Sequence, residues 1–85
     1  MAVKILDSAK KHGIHEKDII YVIEHAIEVI EIAENPQKLL YIGFDRSLRT
    51  LEVITVLKSH GEEIVIHAMK ATKKVIKILK ELQND

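Results

Sequence analysis

The sequence contains no cysteine and no tryptophan, one proline, three glycines, two tyrosines and one phenylalanine. Without cysteine, a disulfide framework and a thiolate metal site are excluded. The glycines are isolated from one another, so no phosphate-cradling loop is present, and no motif indicates a nucleotide, flavin or haem site. No apolar run approaches the ~20 residues that cross a bilayer, and the N-terminus has no long apolar region. We expect a soluble cytoplasmic protein that needs no cofactor.

The charges cancel in total but are segregated along the chain. Its 85 residues predict one domain, residues 1–85, and a hydrophobic content of 47% is enough to form a core. From Asp18 to Glu34 there are five acids and no lysine or arginine, whereas from Ile64 to Lys80 there are five lysines and no acid. Two poles of this kind can steer a charged partner. The alternative is two solvated faces that differ in sign.

The pattern of apolar residues predicts an α+β domain. We expect a helix over residues 4–11 that stops at Gly13, and a second helix over 16–25 in which Ile19, Ile20 and Ile23 recur at helical spacing. Residues rich in β-branched side chains then predict strands, and the basic segment after Thr72 predicts a helix. The expected order is two N-terminal helices, a four-stranded antiparallel meander and a C-terminal helix, with strands over residues 27–34, 38–44, 49–57 and 64–69.

The last two strands are predicted to form a tight hairpin with His60 and Gly61 at the centre of its turn. In that register, residues whose numbers sum to 121 face each other, so Val53 opposes Ala68, Thr55 opposes Ile66 and Leu57 opposes Ile64. Glu52 and His67 then lie diagonally on the other face of the sheet, within reach of each other. A loop of three residues would shift this register by one.

Three motifs resemble those of a known family. The chain carries Lys11-His12-Gly13-Ile14, then Tyr41-Ile42-Gly43 followed by Arg49, and then Met69-Lys70-Ala71-Thr72-Lys73-Lys74. The BrnT-type toxins of bacterial toxin–antitoxin systems have "KHG(V/I)", "IG…GR" and "(R/K)(K/R)AT(K/R)(K/R)E" in the same order. The resemblance spans about residues 10–80. It implies a RelE-like ribonuclease fold, growth arrest by RNA cleavage, and a ribbon-helix-helix antitoxin as partner in a heterotetramer, or else a homodimer.

RNA cleavage requires a base for the ribose 2′-hydroxyl, an acid for the leaving oxygen and cations for the phosphorane-like transition state. We assign proton transfer to His67 and Glu52, and place Arg49 and Lys70 beside them in the catalytic set. The residues predicted to bind phosphate are Arg46, Lys73, Lys74 and Lys77. No metal site is predicted, because a third ligand for His12 and His15 is missing from the pattern.

Each assignment has a structural alternative. His67 can be a sheet histidine that bonds locally, Glu52 an exposed cross-strand charge, and the stripe of Lys73, Lys77 and Lys80 a solvated helix face. The chain also lacks the family's aromatic signature before the first helix and has Val75 where the family has glutamate. The second hypothesis is therefore a non-catalytic protein-binding module that pairs with a regulator or with itself.

Overall fold

The computed structural model describes residues 3–84, which form one mixed sheet and two α-helices. A short 3₁₀ turn over Asp7–Lys10 follows the first strand. Helix α1 (Glu16–Glu24) lies between the first and second strands, and helix α2 (Lys73–Gln83) follows the last. The strands are β1 (Val3–Ile5), β2 (Glu28–Ala33), β3 (Gln37–Phe44), β4 (Thr50–Leu57) and β5 (Glu63–Lys70).

The predicted fold of two N-terminal helices and a four-stranded meander is wrong. The strands lie in the order β1-β5-β4-β3-β2, and β1 runs parallel to β5 while the other neighbours are antiparallel. Val3 and Ile5 belong to a fifth strand, because the open edge of β5 at Glu63 and Val65 pairs with them. That pairing joins residues about sixty positions apart, and no local pattern in the sequence reports it. A strand and a 3₁₀ turn therefore replace the expected first helix.

Helix α1 forms where the sequence predicts it. Its N-cap is His15, whose Nδ1 accepts a hydrogen bond from the Lys17 N–H at 3.1 Å. Acidic residues in the first turn favour the positive end of the helix dipole. Its apolar side chains Ile19 and Val22 are fully buried, and they pack in the larger of two cores. The helix thus covers one face of the sheet.

The sheet has a core on each face. The core on the α1 side includes Tyr41, Leu51, Val53, Val65 and Ala68, together with residues of α1 and of the 3₁₀ turn. The core on the other face is smaller, and Val75 and Leu79 of α2 cover it together with Ala71, which precedes the helix; the strand residues are Leu40, Ile42, Ile30 and Ile54. Burial of apolar surface on both faces, at roughly 25 cal/mol per Å², holds the two helices to the sheet.

A buried polar cluster lies within the α1-side layer. The hydroxyl groups of Tyr41 and Thr55 both donate to Glu63 Oε2, the second at 2.7 Å. Glu63 is only 1% exposed, so these bonds compensate for the desolvation of its carboxyl group. Burial, and then the hydrogen bond to Glu63, raise the pKa of Tyr41 well above its ordinary value.

The hairpin of β4 and β5 differs from its predicted form at two places. Residues 58–62 form a loop, closed by the Lys58 N–H to Glu62 O bond at 2.8 Å, and Gly61 takes a left-handed φ of +94° within it. A bulge at Ile66 then shifts the register. Val53 does oppose Ala68, but Thr55 opposes Val65 and Leu57 opposes Glu63, so the two predicted pairs nearest the turn are wrong.

Neither α-helix in residues 3–84 combines the length and apolar character needed to cross a membrane.

Candidate functional site

Glu52 and His67 come together on the sheet face that α2 covers. The bulge at Ile66 restores the predicted register for the pairs farther from the turn. Ile54 therefore opposes His67, and Glu52 opposes Met69, as the sequence predicts. His67 Nε2 lies 2.9 Å from Glu52 Oε2. The contact between imidazole and carboxylate that the sequence predicts is therefore present in the structure.

The position of Glu52 is fixed by a second hydrogen bond. Its Oε1 accepts the backbone N–H of Thr72 at 2.8 Å, immediately before α2 begins. The Thr72 hydroxyl oxygen in turn accepts the N–H of Val75 at 3.3 Å and caps the helix. Glu52 is 6% exposed, so it is not the exposed cross-strand charge of the structural alternative. Both of its oxygens are engaged, and it acts as a support for His67 and for the start of α2.

The other nitrogen of His67 is the atom that can exchange a proton. A carboxylate only accepts hydrogen bonds, so the contact with Glu52 places a hydrogen on Nε2 and leaves the lone pair of a neutral ring on Nδ1. The His67 side chain is 26% exposed and thus reaches solvent. A partly exposed histidine that a buried carboxylate holds in one tautomer has the geometry of a general base.

A second histidine, His12, lies against His67. The two ring centroids are 5.9 Å apart and the rings meet edge to face, at 71°. His12 is exposed and belongs to the connection between the 3₁₀ turn and α1. β1 pairs with β5 only as far as Val65, so this connection, rather than another strand, borders β5 beside His67.

The sequence pattern suggested a role for His12 only as a metal ligand, and its contact with His67 was not predicted. The one sequence signal for His12 is its place in the Lys11-His12-Gly13 motif. Residues 3–84 contain no group of three or more side chains arranged to hold a metal ion. His12 and His67 are instead two adjacent imidazoles, and each of them can transfer a proton.

The two arginines are held by aspartates. In the loop after β3, Asp45 Oδ2 accepts Arg49 Nε at 2.6 Å, and Asp45 Oδ1 accepts the backbone N–H groups of Ser47 and Arg49 at 2.8 and 2.9 Å. Burial disfavours the ionised form of Asp45, but the hydrogen bonds from Arg49 and Ser47 outweigh it and hold the pKa of Asp45 below its ordinary value. Arg49 is thereby oriented, and its side chain stays 44% exposed.

Arg46 is directed toward α1. Asp18 Oδ1 accepts Arg46 Nε at 2.8 Å, and Asp18 Oδ2 accepts a terminal guanidinium nitrogen at 3.3 Å. These bonds to Arg46 lower the pKa of Asp18 to about 2, and they also raise the pKa of Arg46. Since α1 and α2 lie on opposite faces of the sheet, Arg46 stands apart from the pair of Glu52 and His67. The predicted role of Arg46 as a phosphate ligand beside Glu52 and His67 therefore has no geometric support.

The basic residues at the end of the sheet are exposed. Thr50, next to Arg49, accepts the N–H of Ala71 at 2.9 Å, so the start of β4 and the residue after Lys70 are adjacent. Lys73 and Lys74 form the first turn of α2, and Lys77 lies one turn further on. Lys70, Lys73, Lys74 and Lys77 are all exposed, and among residues 3–84 none of them has an acidic partner within 4.0 Å. Arg49 and these lysines border the Thr72 end of α2.

Comparison with known proteins identifies no relative: no family model, no curated protein and no solved structure matches this chain. The resemblance to the BrnT-type toxins therefore stays a prediction from the motifs. What the fold itself defines is an α+β sheet protein with a histidine pair, backed by a buried glutamate, at the basic end of its sheet.

Proposed function

We propose that the chain is the toxin of a toxin–antitoxin pair and cleaves RNA in the cytoplasm through His67 and His12. The observation that carries this proposal is the orientation of His67 by Glu52 with the His12 ring 5.9 Å away. The lysines of α2 and Arg49 supply positive charge at the same end of the sheet. A ribbon-helix-helix antitoxin is the proposed partner, because the motifs of the chain resemble those of the BrnT-type toxins.

The proposed reaction is an attack by a ribose 2′-hydroxyl on the adjacent phosphorus. His67 Nδ1 takes the proton of the hydroxyl as the new P–O bond forms. His12, as the imidazolium, gives a proton to the departing 5′ oxygen as the old P–O bond breaks. The products are a 2′,3′-cyclic phosphate and a 5′-hydroxyl, and no electron donor or acceptor is required. The nucleophile lies within the substrate, so the step needs no metal-generated hydroxide.

Glu52 takes a different role from the one that sequence reasoning gave it. Its oxygens are occupied by His67 and Thr72, so it touches neither the 2′-hydroxyl nor the leaving oxygen. It is a positioning residue that selects the tautomer of His67. In the proposed reaction Arg49 and Lys70 offset charge on the phosphorane, and Lys73, Lys74 and Lys77 hold flanking phosphates.

The first test is cleavage of a single-stranded RNA by the purified protein, with identification of the cyclic phosphate end. We expect His67→Ala and His12→Ala each to lower the rate by about 10²–10⁴-fold, the usual contribution of an acid or base. His60→Ala is the matched control, because His60 is exposed in the loop between β4 and β5. This variant should cleave RNA at the wild-type rate. Wild-type activity in the His67→Ala protein, or an inert wild type, contradicts the proposal.

The role of Glu52 has its own readout. Glu52→Gln keeps an oxygen for Thr72 but presents an amide to His67, so the preferred tautomer reverses. We expect kcat to fall with little change in KM, and the pH dependence of kcat to change shape. An equal loss in a variant that merely loosens α2, such as Thr72→Ala, would indicate a structural role only.

The cellular test is induction of the chain alone and with the small protein encoded beside it. We expect growth arrest and RNA degradation when the chain is induced alone. His67→Ala, Arg49→Ala or co-expression of the neighbouring protein should relieve both effects.

The second candidate, a non-catalytic binding module, is favoured by one observation: both arginines are occupied by aspartates, as they would be in a purely structural loop. A harmless wild-type chain that still binds its neighbour would favour that candidate.

A further inference from the structure

Strand β2 is an edge of the sheet. Among residues 3–84 its neighbour is β3, and its other side carries no strand. An edge strand presents unpaired backbone N–H and C=O groups, which can pair with an extended segment of another chain. Helix α2 reaches this strand over one face, where Gln83 Nε2 donates to Glu28 Oε2 at 2.7 Å, but α2 lies over the face and leaves the edge open.

Strand β2 also carries exposed apolar side chains. Val29 is 51% exposed and Ile32 is 46% exposed, although both lie in a strand. Ile32 occupies a bulge, since Glu31 pairs with Leu39 and Ala33 with Lys38 and no residue of β3 opposes it. The regular part of the strand, from Glu28 to Glu31, is therefore the length available for pairing.

The charges along this edge are all of one sign. Glu28, Glu31 and Glu34 recur at intervals of three, and no lysine or arginine lies between Asp18 and Glu34. An interval of three places Glu28 and Glu31 on opposite faces of the strand. Two copies paired through β2 would bring these acids together, which is unfavourable. The charge pattern instead suits a partner strand with cations on both faces.

A depression at the end of β2 can bind one such cation. It has a volume of about 510 Å³ and is lined by Glu31 and Glu34, residues 35–37 of the turn, and Leu57, Lys58 and Ser59. Gln37 Nε2 donates to Glu31 Oε2 at 2.6 Å and holds that carboxylate in place. Two acids against one lysine make the depression suitable for a long basic side chain that continues from the edge.

We propose that β2 is a docking edge for a basic, extended segment of another protein, which adds to the sheet as a sixth strand and places a lysine or arginine in this depression. Backbone hydrogen bonds to β2 provide the pairing, Val29 and Ile32 provide apolar contact, and Glu28, Glu31 and Glu34 select the basic partner. The site is remote from His67, so the inference is independent of RNA cleavage.

The experiment titrates the isotope-labelled chain with a capped peptide, Lys-Thr-Val-Lys-Thr-Val-Lys, and follows the backbone amides by NMR. Its lysines repeat at the interval of the acids. A peptide with glutamate in place of each lysine tests the charge. A peptide with proline in place of the first valine keeps the charge but removes an amide donor and disturbs the strand.

We expect chemical-shift changes centred on residues 28–34, and an affinity about tenfold lower for Glu28→Gln/Glu31→Gln, which is about 1.4 kcal/mol or roughly 0.7 kcal/mol for each of two exposed ion pairs. The control Asp7→Asn/Glu16→Gln carries the same charge change beside Lys10, near β1 at the opposite edge of the sheet, and should bind as the wild type. His67→Ala should also bind as the wild type, whatever the outcome for RNA cleavage. The inference is overturned if the peptide does not bind, if the proline peptide binds equally, if the shifts lie outside β2, or if the chain dimerises through β2 by itself.

Discussion

Glu52 shows how burial decides what a carboxyl group does. The same residue exposed on a strand would be a weak cross-strand charge, but here it accepts hydrogen bonds from the backbone of Thr72 and from His67. Bonds of this kind, with a charged acceptor, contribute about 1.5–3 kcal/mol each when well formed. Glu52 therefore joins two elements, and it constrains the imidazole that borders them.

Asp18 gives a prediction at the scale of one residue. Its pKa of about 2 lies below the ordinary value because Arg46 donates to the ionised form. In the unfolded chain an aspartate titrates near ~3.9, so the stabilisation from Asp18 is complete above about pH 4 and is lost as the pH falls toward 2. We expect Asp18→Asn to be less stable than the wild type at pH 7, with the difference shrinking between pH 4 and 2.

Urea denaturation at a series of pH values measures this dependence. Asp7→Asn is a suitable control, because the Asp7 side chain is fully exposed and 4.0 Å from Lys10. Curves for wild type and Asp18→Asn that remain parallel from pH 5 to pH 2 would show that the ion pair with Arg46 does not stabilise the fold.

At the scale of elements, α2 depends on its first turn. Thr72 caps the helix through its hydroxyl oxygen, and its backbone N–H is bound by Glu52. Helix α2 has one buried side chain, Val75, so capping contributes a substantial part of what holds it. The helix also carries Lys73, Lys74 and Lys77, the proposed phosphate ligands, so its placement is important for the proposed site.

We predict that Thr72→Ala lowers the free energy of unfolding by about 0.5–2 kcal/mol, the usual cost of removing a threonine cap. Thr72→Ser keeps the oxygen and should be close to the wild type. The measurement is the shift in urea midpoint at an unchanged denaturant slope. An alanine variant as stable as the serine variant would mean that the hydroxyl of Thr72 does not cap α2 in solution.

At the scale of the whole molecule, the two charge poles lie on different parts of the sheet. The acidic segment runs through α1 and β2, and β2 is at the sheet edge, whereas the lysines lie at the end of β5 and in α2. The proposed RNA site and the proposed docking edge are therefore separate and opposite in sign. A partner bound at β2 leaves His67 open, unless it is large enough to reach over α2.

Salt dependence tests the basic pole. In the His67→Ala background, which keeps the RNA intact, we expect Lys73→Glu/Lys74→Glu to weaken binding of single-stranded RNA. The slope of log affinity against log salt should fall by about 0.7 for each phosphate that the protein no longer neutralises. Lys4→Glu/Lys58→Glu applies the same charge change near the other end of the sheet, and should leave the slope less affected. Equal slopes for the two double variants would indicate non-specific attraction.

The amino-acid pattern by itself determined the elements whose residues agree locally. β-branched runs predicted β2 to β5, the apolar spacing after Thr72 predicted α2, and the helical spacing of Ile19 and Ile23 predicted α1. It also determined that Glu52 and His67 share a face, because strand alternation and the nearby pairs carry that information. These features depend on neighbours within a few residues or within one hairpin.

Only the tertiary structure decided the rest. β1 exists because the open edge of β5 stabilises it from about sixty residues away, and the bulge at Ile66 restores the alignment that the longer turn would have shifted. The contact of His12 with His67, and the aspartates that hold Arg46 and Arg49, likewise join segments distant in sequence or set by a loop conformation. The physical reason is that local preferences act along the chain, whereas long-range contacts gain free energy only once the chain is compact.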